Sequence, residues 1–298
     1  MKKYIYFILF FSLKGETISP SLFSWFSASK LSQAGGGSLI ITPTSRLGNA
    51  ANSLLERTFS TSFILYPANI QAQSVALSIP KEDKLITTVI NHLSYGTFQG
   101  FDEHAISTDN YYSSDIWFKI GYSDLLKSLP IRYGIVNQLL LSSLEDYNFY
   151  QYYCSLGVIW ELKKYKMDIG FSVNDILLID NSFNNFYENS HLKYNLSVCK
   201  ELAYLPLQIS IDYLNINSFN IEDYFISGIF SISKNFTFSV GTSTRKYSQN
   251  TNQSVTNTIL GSSGMGINYR NKEIALSYGL YFYGTGGWTN GLDLSINF

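Results

Sequence analysis

The sequence predicts an all-β protein: a transmembrane antiparallel β-barrel of about 14 strands with a short amino-terminal plug segment. The 298-residue chain has 16% aromatic but only 14% charged residues, against roughly 25% charged residues in a typical soluble protein. Apolar and polar residues alternate from about residue 58 onward, which is typical of strands with one apolar face. The connections between the predicted strands alternate in length, as they do in outer-membrane barrels.

Composition also excludes several classes of protein. Disordered chains are poor in aromatic residues and rich in charge, and this chain is the reverse. Its net charge of −1 provides no basic surface for nucleic acid. The two cysteines, Cys154 and Cys199, allow at most one disulfide, and their places on opposite faces of their strands argue against pairing.

The amino terminus predicts an exported protein. Lys2 and Lys3 precede the apolar run Tyr4–Leu13, which suits a signal peptide over residues 1–19 and is too short to cross a bilayer as a helix. A buried first strand is the alternative. Residues 20–57 do not alternate. We predict that they form a plug inside the barrel or at its periplasmic mouth, with a short helix within 50–56; a disordered leader is the alternative.

The barrel is predicted over residues 58–298. One of its clearest strands sets Tyr152, Cys154, Leu156 and Val158 on an apolar face, and the residues between them on a mostly small or polar face. The predicted strands cover 58–66, 70–79, 84–97, 110–123, 129–142, 149–163, 165–175, 191–200, 204–215, 222–232, 235–245, 255–269, 272–283 and 287–298.

Loop lengths give the barrel an orientation. Short connections are predicted near residues 80–83, 163–164, 233–235 and 270–272, and long ones at 98–109, 176–190 and 246–254. Short turns are periplasmic in outer-membrane barrels, so the long loops should face outward. The aromatic Phe298 closes the last alternating strand, as in the terminal signal of outer-membrane barrel proteins.

No motif predicts catalysis, a cofactor or a metal. His92, His104 and His191 are far apart in the sequence and lack metal-ligand spacing. The segment 261–266 is glycine-rich but lacks the Lys-Ser/Thr of a phosphate loop, so we predict a strand that lets a lumen plug or a neighbouring element approach closely. Charged residues on the polar faces should neutralise one another in the lumen: Glu161, Asp168, Asp212 and Asp293 with Lys119, Arg132, Lys166 and Lys193.

One tract carries a family resemblance. Tyr95, Gly96, Phe98, Phe101, Asp102 and Glu103 lie in a segment, 95–103, that resembles the tract found at this place in the PorV/PorQ family, particularly its PorQ branch. That family consists of barrel components of the type IX secretion system and is related to the FadL transporters. Asn49, Ala50 and Ala51 stand where the family has an Asn-Pro-Ala motif before the first strand, with Ala50 replacing the proline.

The resemblance implies a non-enzymatic barrel in the bacterial outer membrane that serves protein secretion and cell-surface attachment. Its partners would be outer-membrane lipid and other proteins of the attachment complex, with no nucleic acid and no cofactor. The 95–103 tract would be a rim or partner motif, and Asn49-Ala50-Ala51 a plug motif. Asp102 and Glu103 either contact a partner or fold inward onto Lys119 or Arg132 to seal the barrel. The alternative function is a FadL-like channel for hydrophobic solutes.

Overall fold

The computed structural model is a closed barrel. It describes residues 24–42, 47–52, 56–102, 104–126, 128–144, 147–181, 192–217, 221–248, 260–284 and 287–298. The predicted signal peptide (1–19) and Glu103 lie outside these residues. The described residues form two short helices, α1 (Ala28–Ser32) and α2 (Arg245–Ser248), and single 3₁₀ turns at Pro67–Asn69 and Lys163–Tyr165. Among the described residues, no helix is long and apolar enough to cross a bilayer.

The described residues form 14 antiparallel strands in which each strand pairs with its sequence neighbours and the first pairs with the last. The strands are β1 Thr58–Leu65, β2 Gln71–Lys81, β3 Lys84–Phe101, β4 Ser107–Leu126, β5 Ile131–Leu144, β6 Tyr147–Leu162, β7 Met167–Asp180, β8 Lys193–Glu201, β9 Leu207–Ile216, β10 Ile221–Ser231, β11 Phe236–Ser243, β12 Ser263–Arg270, β13 Ile274–Phe282 and β14 Trp288–Asn297. This confirms the predicted fold class and strand number.

The alternation of side chains produces an apolar exterior and a polar interior. On β6, Leu156, Val158 and Trp160 are exposed on the outside of the barrel. Tyr153 and Ser155 of the same strand point the other way and are buried in the lumen. The other strands repeat this pattern, and large apolar side chains cover the outside from Phe63 to Leu292. A closed barrel with an apolar outer face satisfies its backbone hydrogen bonds internally, as a lipid environment requires.

The two ends of the barrel differ in their connections. Both ends of the barrel sequence, Thr58 and Asn297, pair at one end, where the turns at 82–83, 163–166 and 271–273 are short. The longest connections, 181–192 and 244–262, leave the opposite end. Since short turns are periplasmic, we call the first end periplasmic and the second end outer.

Several predicted boundaries are wrong, for identifiable reasons. β3 and β4 extend beyond residues 97 and 110, so the predicted long loop 98–109 shrinks to 102–106. β7 continues to Asp180 rather than ending at 175, because a bulge at Asn174 and Asp175 places two successive polar residues out of alternation. β12 begins at Ser263 instead of 255. The helix predicted within 50–56 is absent from the described part of that segment, 50–52 and 56, which makes turns.

Candidate functional site

The lumen is the candidate site, because the amino-terminal segment 24–52 lies inside it. Two strand aspartates hold the backbone of this plug. The Asp293 carboxylate accepts hydrogen bonds from the backbone N–H groups of Ala28 (2.7 Å) and Ser29 (3.1 Å). The Asp212 carboxylate does the same for Gly37 (2.8 Å) and Ser38 (3.1 Å). Each carboxylate thus satisfies backbone donors that would otherwise be buried without partners.

This finding corrects the predicted pairing of the lumen charges. Asp293 and Asp212 do point inward, but they bind the plug backbone and neighbouring serine hydroxyls rather than lumen cations. Ser62 donates to Asp293 (2.5 Å), and Ser197 donates to Asp212 (2.6 Å).

Two of the predicted cations do form ion pairs inside the barrel. Arg132 pairs with Glu161 at 3.3 Å near the periplasmic end, and Lys193 pairs with Asp175 at 2.8 Å. Lys166 is not inside: it lies in an exposed turn, 3.8 Å from Glu201.

Helix α1 packs against one side of the barrel, which we call the helix wall: strands β11–β14 and β1. Glycines make this approach possible. A Cβ atom on Gly264 would lie 2.0 Å from the Leu31 carbonyl oxygen, and one on Gly279 would lie 2.0 Å from that of Ala28. The prediction that the glycine-rich strand around 261–266 admits a plug is therefore confirmed.

The predicted plug motif lies against the opposite side of the lumen. Asn49 is 2% exposed and donates from Nδ2 to the Phe171 carbonyl of β7 (3.3 Å), while its Oδ1 accepts from the Ala51 N–H (2.9 Å). Ala50 and Ala51 are also buried. The Ala50 carbonyl sits 2.0 Å from where a Cβ on Gly134 would be. Small residues on both surfaces permit this contact.

The outer half of the lumen contains two clusters of apolar and aromatic side chains. One cluster combines Leu31, Ile64, Leu93 and Tyr281 with several half-buried side chains, and a second combines Trp117, Leu140 and Tyr153. Phe26 of the plug packs against both clusters. We call this surface the aromatic mouth; its aromatic residues are Trp25, Phe26, Tyr66, Tyr95, Trp117, Phe149, Tyr153, Tyr281 and Tyr283.

Tyrosines attach the plug to the aromatic mouth. The Tyr66 hydroxyl accepts from the Trp25 N–H and donates to the Trp25 carbonyl, both at 2.7 Å. Burial raises the pKa of Tyr66 well above its usual value, and burial raises the pKa of Tyr283 to about 12. Both phenols therefore stay protonated at neutral pH, so Tyr66 can both donate and accept.

Below the aromatic mouth lies a polar cavity of about 300 Å³. It separates the plug from strands β2–β8, which we call the cavity wall. Lys119, Asp175 and Lys193 line it from the barrel, and Lys30 lines it from α1. Burial lowers the pKa of Lys30, and the nearby Asp212 carboxylate partly offsets this effect.

The 95–103 tract divides between lumen and rim. Tyr95 points inward and donates its hydroxyl to Asp115 (2.7 Å). A bulge at Gly96, whose φ of +91° favours glycine, precedes the exposed Phe98 and Phe101 at the outer end of β3. Asp102 is exposed and accepts from the N–H groups of its own turn, at His104 and Ile106.

The sealing role proposed for this tract is therefore wrong for Asp102, which does not reach Lys119 or Arg132. Its role as a partner motif stays a prediction.

Two charged residues of the cavity, Lys30 and Asp175, were not predicted from the sequence. Asp175 was not identified because it breaks the alternation, yet that break between Asn174 and Asp175 was itself the signal of a bulge. Lys30 was not identified because no local pattern shows which plug residues face the wall.

Both cysteines are free thiols, with Cys154 on the exterior face of the barrel and Cys199 in the lumen. No group of three His, Cys, Asp or Glu side chains among the described residues is placed to bind a metal ion.

Comparisons with solved structures show the same fold in outer-membrane channels. The TodX deltaS2S3 mutant monoaromatic hydrocarbon channel aligns with a TM-score of 0.63 and 11% identity, over 92% of this chain and 99% of that chain. The P. putida toluene transporter TodX aligns with a TM-score of 0.58 and 9% identity, over 92% and 98%. A Pseudomonas aeruginosa FadL homologue aligns with a TM-score of 0.51 and 10% identity, over 91% and 97%.

No protein-family model and no curated protein sequence matches the chain. At these identities the structural similarity concerns the fold. Together with the apolar exterior, this fold makes the chain an outer-membrane β-barrel, as predicted.

Proposed function

We propose that this chain is a plugged outer-membrane channel for hydrophobic solutes, the function that the sequence analysis held as its alternative. The observation that carries the proposal is the aromatic mouth. Half-buried apolar side chains, among them Trp25, Tyr66 and Tyr283, face the outer end of the lumen. Transfer of an apolar solute from water to such a surface lowers the free energy of the solute. The interior of a soluble barrel or of a purely structural pore does not need such a surface.

The fold comparisons support the same proposal. TodX is named as a monoaromatic hydrocarbon channel and a toluene transporter. Those proteins are barrels that this chain matches over nine-tenths of its length. The inward aromatic residues Trp117, Tyr153, Tyr281 and Tyr283 belong to apolar clusters that a solute could enter.

Passage requires the plug to move, since α1 and the plug motif fill the lumen below the mouth. Phe26 connects the two apolar clusters with the plug, so a solute that binds beside Phe26 competes with its packing. This mechanism places solute binding and plug release at the same residue. Catalysis has no part in it.

Uptake of an apolar solute tests the proposal. The full chain is expressed in a bacterial host that lacks hydrophobic-solute channels, and entry of radiolabelled toluene is compared with entry of a disaccharide. We expect faster entry of toluene only. Phe26→Gln should reduce the toluene entry that the chain provides at least several-fold, because it places a polar side chain of considerable size in the aromatic mouth.

The matched control is Phe101→Gln on the exposed outer end of β3, which should leave toluene entry unchanged. Equal entry of toluene with and without the chain, at equal barrel levels in the outer membrane, would contradict the proposal.

A second candidate is a PorQ-like component of type IX secretion and surface attachment, with other attachment-complex proteins as partners. The observation that favours it is the rim: β3 and β4, the longest strands, carry the exposed Phe98, Phe101 and Asp102 at their outer end. Affinity purification from detergent-solubilised outer membrane, with the parent chain and Phe101→Gln/Asp102→Asn, tests this candidate. Recovery of a surface-attachment protein by the parent only would support it.

A further inference from the structure

The polar cavity carries more positive than negative charge. Lys193 is neutralised by Asp175 at 2.8 Å, and Asp175 also accepts from Gln138 at 3.2 Å. Lys30 donates to the Gly36 carbonyl (2.9 Å), with Asp212 as its nearby counter-charge. Lys119 has no carboxylate within ion-pair distance among the described residues; its contact is with the Trp117 ring, 5.0 Å from Nζ. Among the described residues of the cavity, one positive charge therefore remains uncompensated.

An uncompensated ammonium group inside a barrel is costly, because the low dielectric of the protein disfavours an isolated charge. Attraction to the face of one tryptophan ring offsets only part of this cost. The charged groups near Lys119 are Asp175, which already has a partner, and Lys193, which repels it. The cavity thus favours an anion beside Lys119.

Polar groups next to Lys119 have unused hydrogen-bonding capacity. Asn91 lines the cavity, is 5% exposed, and its side-chain oxygen has no partner in the described structure. Its cross-strand neighbour Trp117 has a buried indole N–H that likewise lacks a partner there. Rotation of the Asn91 side-chain amide by about 180° exchanges its oxygen and NH₂ group, so Asn91 can present its NH₂ group to an anion. Lys119, Trp117 and Asn91 then supply donors from two adjacent strands.

We propose that this cavity binds a singly charged oxyanion, with the Lys119 ammonium group as its counter-charge. A volume of about 300 Å³ accommodates a carboxylate together with several waters, since each water occupies about 30 Å³. The anion lies between the cavity wall and the plug, so its binding stabilises the plugged state by mass action. This inference does not depend on solute transport.

The test uses the full chain in a nonionic detergent. Acetate replaces chloride at constant ionic strength. Tryptophan fluorescence reports binding, through Trp25 in the cavity lining and Trp117 beside Lys119, and the temperature of the folded-to-unfolded band shift on gels reports stability. We expect a saturable fluorescence change and a higher transition temperature with acetate. Lys119→Met, which keeps most of the side-chain stem, should weaken acetate binding at least tenfold, and Lys119→Arg should retain it.

Lys84→Met, at an exposed lysine beside a periplasmic turn, is the matched control and should behave as the parent.

Octanoate and octanol distinguish a free anion from the head group of an amphiphile. Equal affinity for acetate and octanoate indicates a free anion, whereas much tighter octanoate binding that Lys119→Met abolishes indicates a head group; octanol should not respond to Lys119→Met. Equal responses to acetate and chloride, or acetate binding that Lys119→Met leaves intact, would overturn the proposal. If Lys119→Met does not fold, the parent titration decides.

Discussion

The two walls of the lumen hold the same plug in different ways. The helix wall packs directly on α1, with Gly264 and Gly279 leaving room for the backbone carbonyls of Leu31 and Ala28, and Asp293 binds the helix start. The cavity wall contacts the plug at separate places: at Asn49 and its neighbours near the periplasmic end, at Asn195, which donates to Ser38 (2.8 Å), and at the aromatic mouth, where it packs on Phe26. Between these contacts it leaves a polar cavity lined by Lys119 and Lys193.

This difference indicates a division of roles. A close-packed contact without voids resists displacement, because separating its surfaces loses dispersion contacts and buried hydrogen bonds together. A hydrated cavity allows neighbouring groups to move at lower cost. We therefore expect the helix wall to anchor the plug, and the cavity wall to be the side on which the plug can shift.

The largest effect is expected from removing the anchor carboxylate. Asp293→Ala leaves the N–H groups of Ala28 and Ser29 and the Ser62 hydroxyl without their acceptor. Each buried unsatisfied donor costs about 1–3 kcal/mol, so the docked plug should lose on the order of 3–5 kcal/mol. Conductance of single barrels in planar bilayers measures plug release. Asp109→Ala, at an exposed residue of β4, should leave the conductance low; a closed Asp293→Ala barrel would contradict the anchor role.

A pair of glycine substitutions compares the walls directly. Gly264→Ala on the helix wall places Cβ 2.0 Å from the Leu31 carbonyl oxygen, whereas Gly121→Ala on the cavity wall meets the movable Leu47 side chain at 3.1 Å. We expect Gly264→Ala to destabilise the docked plug by about 1–3 kcal/mol and Gly121→Ala by less than about 1 kcal/mol. Protease cleavage within residues 24–42, measured against urea concentration, gives both values. Equal cleavage of the two variants would remove the distinction between the walls.

The plug motif should contribute less than the anchor. Asn49→Ala removes the hydrogen bond to the Phe171 carbonyl and leaves the buried Ala51 N–H without its acceptor. We expect a loss of about 1–2 kcal/mol in plug docking, with the barrel itself unchanged in its gel mobility shift. Asn110→Ala, at an exposed residue of β4, provides the comparison. An Asn49→Ala plug as resistant to protease as the parent would show that the cavity wall does not hold this segment.

The smallest effect is expected at Tyr66, and it depends on pH. Tyr66→Phe removes two hydrogen bonds to Trp25, a loss of about 1 kcal/mol. Because burial raises the pKa of the folded Tyr66 phenol above its usual value of 10.0, its contribution is complete below pH 10 and is lost as the pH rises further.

Plug release between pH 9 and 11.5 should therefore increase more steeply in the parent than in Tyr66→Phe. Tyr204→Phe, at a fully exposed side chain in a periplasmic turn, should follow the parent curve. Identical curves for the parent and Tyr66→Phe would assign the pH dependence to other groups.

The strands and their faces were predictable from sequence because they depend on a local pattern. Leu156 and Val158 lie outside and Ser155 lies inside, as a period of two requires. The same rule failed at Asn174 and Asp175, where a bulge places both residues toward the cavity. Prediction also failed at Asp212 and Asp293: it placed them correctly in the lumen, but it paired them with cations.

By itself, the sequence determined the membrane barrel, its strand number and its orientation, since alternation, strand count and turn length are properties of neighbouring residues. Only the tertiary structure decided what the inward side chains do. An inward carboxylate can meet a lysine, as Asp175 meets Lys193, or a plug N–H group, as Asp293 meets that of Ala28. The two partners are 18 residues apart in the sequence in the first case and 265 residues apart in the second. Such distant contacts leave no periodic trace in the sequence, because closure of the barrel and entry of the plug create them.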